Sequence, residues 1–175
     1  MLKWSLAAIA AIVVVFLIVV AMQPSDFKVE RSATMRAPAP AAFAQVNDFQ
    51  KWQAWSPWEK VDPALKRQYE GPKAGTGAVY AWQGNKDVGE GRMTITESKP
   101  AERVRIKLEF FKPFAATNQA EFSFQPAGDS TTVTWAMNGN TPYWAKIFHV
   151  FFNMDKMVGG DFEAGLAKLK AAAEK

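Results

Sequence analysis

Hydrophobic and polar positions divide the chain into three patterns. Residues 4–22 are apolar throughout, most of residues 27–139 alternate between apolar and polar positions, and residues 141–175 repeat apolar side chains every three or four positions. Alternation is typical of a strand with one buried face, whereas a three- to four-residue repeat is typical of an amphipathic helix. The chain is therefore predicted to contain an apolar helix followed by an α+β domain.

The apolar run contains no charged side chain and spans residues 4–22. At ~1.5 Å rise per residue, a helix of this length matches the ~30 Å hydrocarbon core of a bilayer. Residues 1–22 are predicted to be a transmembrane anchor, residues 23–26 a linker, and residues 27–175 the folded domain. A cleaved signal peptide is the alternative, with Val19 and Ala21 before the cut. Secretory apolar regions usually run only ~7–15 residues, which favours the anchor.

Basic residues flank the apolar run on both sides. Lys3 and the amino terminus favour a cytoplasmic start, while Lys28, Arg31 and Arg36 lie just beyond the other end. We expect a single-pass protein of the bacterial inner membrane with its domain facing the periplasm. The net charge is +4, and lysine and arginine are interspersed with acidic residues. The membrane is therefore an expected partner and nucleic acid is not.

Six strand-like segments follow one another after residue 64. A first strand is predicted over residues 27–36, and Pro40 suits the first turn of the first of two short helices. The six later strands are expected near residues 65–70, 75–83, 88–98, 102–111, 115–126 and 130–139. Glycine, proline, asparagine or aspartate separates the segments, as in tight turns. This regular short spacing favours an antiparallel meander.

Alternation assigns the side chains of these strands to two faces. The predicted outer face is polar, and a register slip of one residue would exchange the two faces. The predicted inner face consists of Tyr80, Trp82, Met93, Ile95, Val104, Ile106, Leu108, Phe110, Ala120, Phe122, Phe124, Val133, Trp135 and Met137.

The C-terminal repeat predicts one long helix that starts after Thr141 and reaches almost to Lys175. Thr141 suits an N-cap and Pro142 the first helical position. Gly159 and Gly160 interrupt the repeat, at a cost of ~1 kcal/mol each relative to alanine. Close packing against the sheet explains them, and so does a kink that opens a cavity.

Four motifs carry a family resemblance over about residues 27–172. They are F-x-x-V-x-D-F-x-x-W-x-x-W-S-P-W (43–58), G-x-G-x-x-Y-x-W (75–82), G-E-G (89–91) and D-F-E-x-G-L-x-x-L-K (161–170). With the element order, they resemble the START-like (SRPBCC) superfamily, and within it the polyketide cyclase/dehydrase and lipid transport family. The resemblance implies a helix-grip fold, in which a curved sheet wraps around the C-terminal helix. It also implies a ligand cavity between the two.

The bulk of the predicted inner face agrees with a cavity, because a helix across a curved sheet rarely fills the space beneath it. A solid aromatic core is the alternative. The predicted ligand-binding side chains are Tyr80, Trp82, Met93, Ile95, Ile106, Leu108, Phe110, Phe122, Phe124, Trp135, Phe148, Phe151 and Met154.

Residues suited to catalysis are sparse. The chain has no cysteine and one histidine, His149, beside the apolar stripe of the C-terminal helix. No metal-ligand spacing, nucleophile elbow or phosphate-binding loop is present, so no metal or cofactor is expected. If the cavity performs acid–base chemistry, Tyr80, Glu90, Arg92 and Glu97 are the candidates.

Trp52, Trp55 and Trp58 recur every three residues. Packing of the short helices against the sheet explains them, and contact with the membrane interface is the alternative.

The favoured hypothesis is membrane-tethered binding of a hydrophobic small molecule, lipid- or isoprenoid-like, in an aromatic cavity. A cyclase or dehydrase acting on a polyketide-like substrate is the second hypothesis. A non-catalytic interaction module at the membrane is the third.

Overall fold

The computed structural model describes residues 2–141, 146–147 and 153–175. The helices are α1 (Leu2–Met22), α2 (Ala39–Val46), α3 (Trp52–Trp55) and α4 (Met154–Ala173), and single 3-10 turns span Phe49–Lys51 and Pro57–Lys60. The strands are β1 (Asp26–Met35), β2 (Lys66–Glu70), β3 (Val79–Gln83), β4 (Glu90–Lys99), β5 (Arg103–Lys112), β6 (Ala116–Ala127) and β7 (Ser130–Asn140).

The strands of the described residues form one antiparallel sheet in the order β1-β7-β6-β5-β4-β3-β2. β2 to β7 follow one another as a meander, and β1 joins the far edge beside β7. The predicted meander and helix-grip fold are confirmed. β3 begins at Val79 and not at residue 75, because Gly75 and Gly77 have φ angles of 82° and 92°, which strand backbone does not allow.

The two faces of the sheet differ as the alternation predicts. The inner row is buried or half-buried against the helices, with Ile95, Ile106 and Phe122 fully inaccessible. On the outer face, Glu97 forms ion pairs with Arg103 and Arg105 at 2.8 and 2.9 Å. Register also agrees, because β5 and β6 pair Ile106 with Ala120.

Helices α2 and α3 carry the tryptophan repeat into the core. The indole nitrogen of Trp52 donates to the carbonyl of Val46 at 2.9 Å, and that of Trp55 donates to the carbonyl of Gln45 at 3.1 Å. Both side chains are buried. Backbone carbonyls at the end of α2 thus satisfy two polar N–H groups that burial would otherwise leave unpaired. Core packing therefore explains Trp52 and Trp55, while Trp58 is half-buried.

The C-terminal helix departs from the prediction at its start. Asn153 has extended backbone angles (φ −96°, ψ 112°), and its side chain accepts a hydrogen bond from the amide of Lys156. An uninterrupted helix from Thr141 is therefore wrong, because Asn153 caps a new helix that begins at Met154. Residues 142–145 and 148–152, which include the predicted Pro142, Phe148, His149 and Phe151, lie outside the described residues.

Glycines bring α4 close to the sheet. A Cβ at Gly159 would collide with the guanidinium of Arg31 on β1. That guanidinium forms ion pairs with Asp155 at 2.8 Å and Glu163 at 2.7 Å, so β1 and α4 are joined across the gap. Close packing therefore accounts for Gly159. Gly160 is exposed and has open space around its Cα.

Helix α1 stands apart from this core. Within residues Trp4–Met22 its mean hydropathy is 3.1 and only 6% of the window is buried. By length and composition it is long and apolar enough to cross a membrane, as the sequence predicts. Its end is held near the sheet, because the amide of Thr141 donates to the carbonyl of Ser25 at 2.6 Å.

We predict opposite effects for alanine at two glycines of α4. Gly160→Ala adds a methyl group in open space and removes a flexible residue, so it should raise the free energy of unfolding by ~0.5–1 kcal/mol. Gly165→Ala places a Cβ 2.8 Å from a ring carbon of Trp135 and should lower it by ~1–3 kcal/mol. Urea unfolding of the solubilised protein, followed by tryptophan fluorescence, measures both. Equal effects of the two variants would contradict this packing.

Candidate ligand cavity

A cavity of about 280 Å³ lies between the inner face of the sheet and α4. Its walls are mainly apolar and aromatic side chains from α3 and the 3-10 turn after it, from β3 to β7, and from the first three turns of α4. The described lining residues are Trp52, Ser56, Trp58, Glu59, Leu65, Tyr80, Trp82, Asp87, Val88, Met93, Leu108, Phe110, Asn118, Ala120, Trp135, Met137, Met154, Val158, Asp161 and Phe162.

Part of the predicted ligand-binding set lines this cavity. The members that do so are Tyr80, Trp82, Met93, Leu108, Phe110, Trp135 and Met154. Phe148 and Phe151 lie outside the described residues.

Four other predicted residues face the same side of the sheet but do not reach the cavity. Ile95, Ile106, Phe122 and Phe124 are buried in the solid half of the core. There the short helices cover the sheet, with the rings of Trp52 and Phe122 5.9 Å apart. Alternation identifies the face of a residue but not the element that covers it, so it does not separate these four side chains from those that line the cavity.

The cavity also contains polar groups that the sequence analysis did not single out. Glu59, Asp87, Asn118 and Asp161 belong to its lining. Glu59 is only 8% exposed and directly follows Trp58. No periodicity or motif in the sequence marks this glutamate, because the partners that allow its burial come from β2 and β3.

Glu59, Tyr80 and Arg67 form a hydrogen-bonded cluster at the wall of the cavity. The Tyr80 hydroxyl donates to Oε1 of Glu59 at 2.7 Å. Nε of Arg67 donates to Oε2 at 2.6 Å, and the same guanidinium donates to the Glu59 backbone carbonyl at 3.0 Å. Both carboxylate oxygens are therefore occupied, and the charge of Glu59 is balanced by a cation outside the cavity lining.

The contacts in this cluster shift the pKa values of Tyr80 and Arg67. Burial, together with the hydrogen bond to Glu59, raises the pKa of the Tyr80 hydroxyl well above its usual range. The hydrogen bond to Glu59 also raises the pKa of the Arg67 guanidinium. Tyr80 thus remains a neutral hydrogen-bond donor, and Arg67 a cation, throughout the physiological pH range.

The remaining acid–base candidates do not converge on the cavity. Glu97 lies on the outer face, where its hydrogen bond to Arg103 lowers the pKa of its carboxyl. Arg92 forms an ion pair with Glu109 at 3.5 Å, and Glu90 pairs with Lys112 at 2.9 Å. Of the four candidates only Tyr80 lines the cavity. In the described part of the chain no three metal-ligating side chains cluster.

Solved structures share this architecture at low sequence identity. A protein from Thermobifida fusca, solved in solution, is 21% identical over 83% of this chain and 92% of its own (TM-score 0.63). Major latex-like protein 151 from Panax ginseng is 10% identical over 87% of this chain and 100% of its own (TM-score 0.62). A protein from Chromobacterium violaceum is 13% identical over 87% of this chain and 99% of its own (TM-score 0.60). These likenesses show that the chain shares its fold with the three proteins.

A family model identifies the protein more narrowly than its fold does. The model of the polyketide cyclase/dehydrase and lipid transport family matches residues 26–174, which is the whole sheet together with α4. The chain belongs to this family. No curated protein sequence matches the chain.

Proposed function

We propose that this protein holds a hydrophobic small molecule, lipid- or isoprenoid-like, in the cavity between the sheet and α4, while α1 anchors it in a membrane. The observation that supports binding most strongly is the cavity itself. Its walls are predominantly apolar and its few polar groups are concentrated at defined positions, which is the usual composition of a small-molecule site.

The volume of the cavity limits the size of this ligand. About 280 Å³ lies just below the ~300–1,000 Å³ typical of sites for drug-sized molecules. A single acyl chain or a small ring system fits this space, and a phospholipid with two chains does not. Burial alone stabilises such a complex by ~0.8 kcal/mol per methylene group, which offsets the entropy lost on association.

The strand register indicates that the cavity and the start of β1, which follows α1 in the chain, lie at the same end of the sheet. Asp26, which three residues separate from α1, pairs with Asn140, and Gly139 pairs with Asn118 of the cavity lining. On the next strand Phe110, also in the lining, pairs with Ala116. The β5–β6 connection and the start of β1 therefore share an end of the sheet, which we name the anchor end.

Exposed aromatic rings at the anchor end support contact with a membrane. Phe111, the last residue but one of β5, is 46% exposed, and Phe114, in the β5–β6 connection, is 61% exposed. Lys112 lies between them and is itself exposed. Apolar rings next to a basic side chain suit the interfacial zone of a bilayer. In the proposed arrangement, a membrane-soluble ligand has a short path from lipid to cavity.

The orientation of the anchor is part of this proposal. We place the domain on the periplasmic side of a bacterial inner membrane, because Lys3 directly precedes the apolar helix.

Catalysis of a cyclase or dehydrase type is the second candidate. The hydrogen-bonded pair of Tyr80 and Glu59 is the observation in its favour. Binding remains the preferred function because each oxygen of Glu59 already accepts a hydrogen bond, from Tyr80 or from Arg67, and an acid–base role would require a substrate to share or displace one of these contacts.

If Phe111 and Phe114 contact the membrane, a spin label at position 111 should lie in a lipid environment. The chain contains no cysteine, so Phe111→Cys carries a single nitroxide in the full chain reconstituted in nanodiscs. We expect this label to be more accessible to oxygen than to a water-soluble nickel chelate. The control is Asp129→Cys in the β6–β7 turn, at the opposite end of the sheet, where the preference should be reversed. Equal accessibilities at the two positions would contradict membrane contact.

Occupation of the cavity predicts that a bulky side chain will displace the ligand. Ala120 lies in the lining, so Ala120→Phe fills the space, whereas Ala164→Phe adds the same ring on the exposed face of α4. We expect native mass spectrometry of the full chain to show a small added mass for the wild type and Ala164→Phe. Ala120→Phe should lose that mass. A bare wild-type protein that also fails to take up N-phenyl-1-naphthylamine would exclude the proposed function.

A further inference from the structure

The charges around the cavity restrict the chemistry of its ligand. We propose that the cavity selects uncharged or cationic apolar molecules and rejects anionic ones such as fatty-acid carboxylates and lipid phosphates. This inference rests on the proposed function and names the class of ligand for the same site.

The described lining carries carboxylates and no basic side chain. Glu59, Asp87 and Asp161 belong to it, and none of its described members is a lysine or arginine. An anionic ligand would therefore find no fixed positive partner among these residues.

The three carboxylates are not equivalent. Glu59 is neutralised by Arg67 at 2.6 Å and also accepts from the Tyr80 hydroxyl. The carboxylates of Asp87 and Asp161 have no hydrogen bond or ion pair within the described residues. Asp87 lies in the β3–β4 connection, where its side chain is exposed, and Asp161 is half-buried on the third turn of α4, so the two uncompensated charges lie on different walls of the cavity.

The N-terminus of α4 does not offset these charges. A helix N-terminus carries a partial positive charge that attracts anions. Here the Asn153 side chain already accepts from the amide of Lys156 at 3.1 Å, and Asp155 supplies an acidic group in the first turn. Groups of the protein thus already interact with the positive end of α4, which leaves little attraction for an anionic ligand.

Two unpaired carboxylates favour one class of ligand over another. A carboxylate or phosphate that enters the cavity loses water and meets like charges, and both effects oppose binding. An alcohol, ketone or ether avoids this cost. An amine gains attraction from Asp87 and Asp161, so its affinity should equal or exceed that of the alcohol.

A series of probes with one chain length and three charges tests this selectivity. Octanoate, octanol and octylamine are titrated at pH 7.5 into the full chain in zwitterionic nanodiscs, and empty nanodiscs are subtracted. The fluorescence of the tryptophans that line the cavity reports binding. We expect octanoate to bind at least ~10-fold more weakly than octanol, which corresponds to ~1.4 kcal/mol.

The variant that removes the two free charges should reduce this discrimination. Asp87→Asn with Asp161→Asn is expected to bring octanoate to within ~3-fold of octanol. The control, Glu102→Gln with Asp129→Asn, changes the net charge equally at the opposite end of the sheet and should preserve the ~10-fold difference.

Other outcomes of these titrations would overturn either the charge selectivity or the proposed function. Equal affinity of the wild type for octanoate and octanol would overturn the charge selectivity while leaving the binding function intact. The same conclusion follows if the cavity variant retains the full difference. Failure of all three probes to bind would instead overturn the proposed function, and this inference with it.

Discussion

The stacking of Trp135 determines where the sheet and α4 meet. Its indole lies 4.0 Å from the ring of Phe162 on α4, at an interplanar angle of 7°, and 4.8 Å from the ring of Phe122 on β6. Gly165 allows this approach, since a side chain there would press on the indole. Large stacked rings contribute both buried area and a preferred geometry, so this contact fixes the helix over β7, which lies next to the β1 edge of the sheet.

The position of the cavity follows from that contact. On one side of Trp135 the short helices α2 and α3 bring Trp52 and Trp55 onto the sheet and fill the space with rings. On the other side, towards the anchor end, the cavity lies between the sheet and the first three turns of α4. Glu59 and Tyr80 are hydrogen-bonded to each other in the wall of the cavity, and Arg67 compensates the charge of Glu59. A packed half and a hollow half thus share one inner face.

Local chemistry made most of the fold predictable from the sequence. Alternation placed Tyr80, Met93 and Trp135 on the inner face, because side chains of a strand must alternate and only one face is covered. The break at Asn153 was not predictable, since the apolar repeat continues across it. Contacts between distant segments decide the rest of the site. Ile106 and Leu108 occupy equivalent positions in the pattern, yet only Leu108 lines the cavity, because α2 and α3 cover the other end.

Methionine methyl groups offer the most direct test of a ligand in this cavity. Met93, Met137 and Met154 line it, whereas Met35 is buried in the core outside the cavity lining and Met157 is exposed on α4. Methyl NMR spectra of the full chain in nanodiscs, recorded while octanol is added, report on all five. Binding in the cavity predicts saturable shifts of Met93, Met137 and Met154, with Met35 and Met157 unchanged. Shifts confined to Met157, or none at all, would contradict the account.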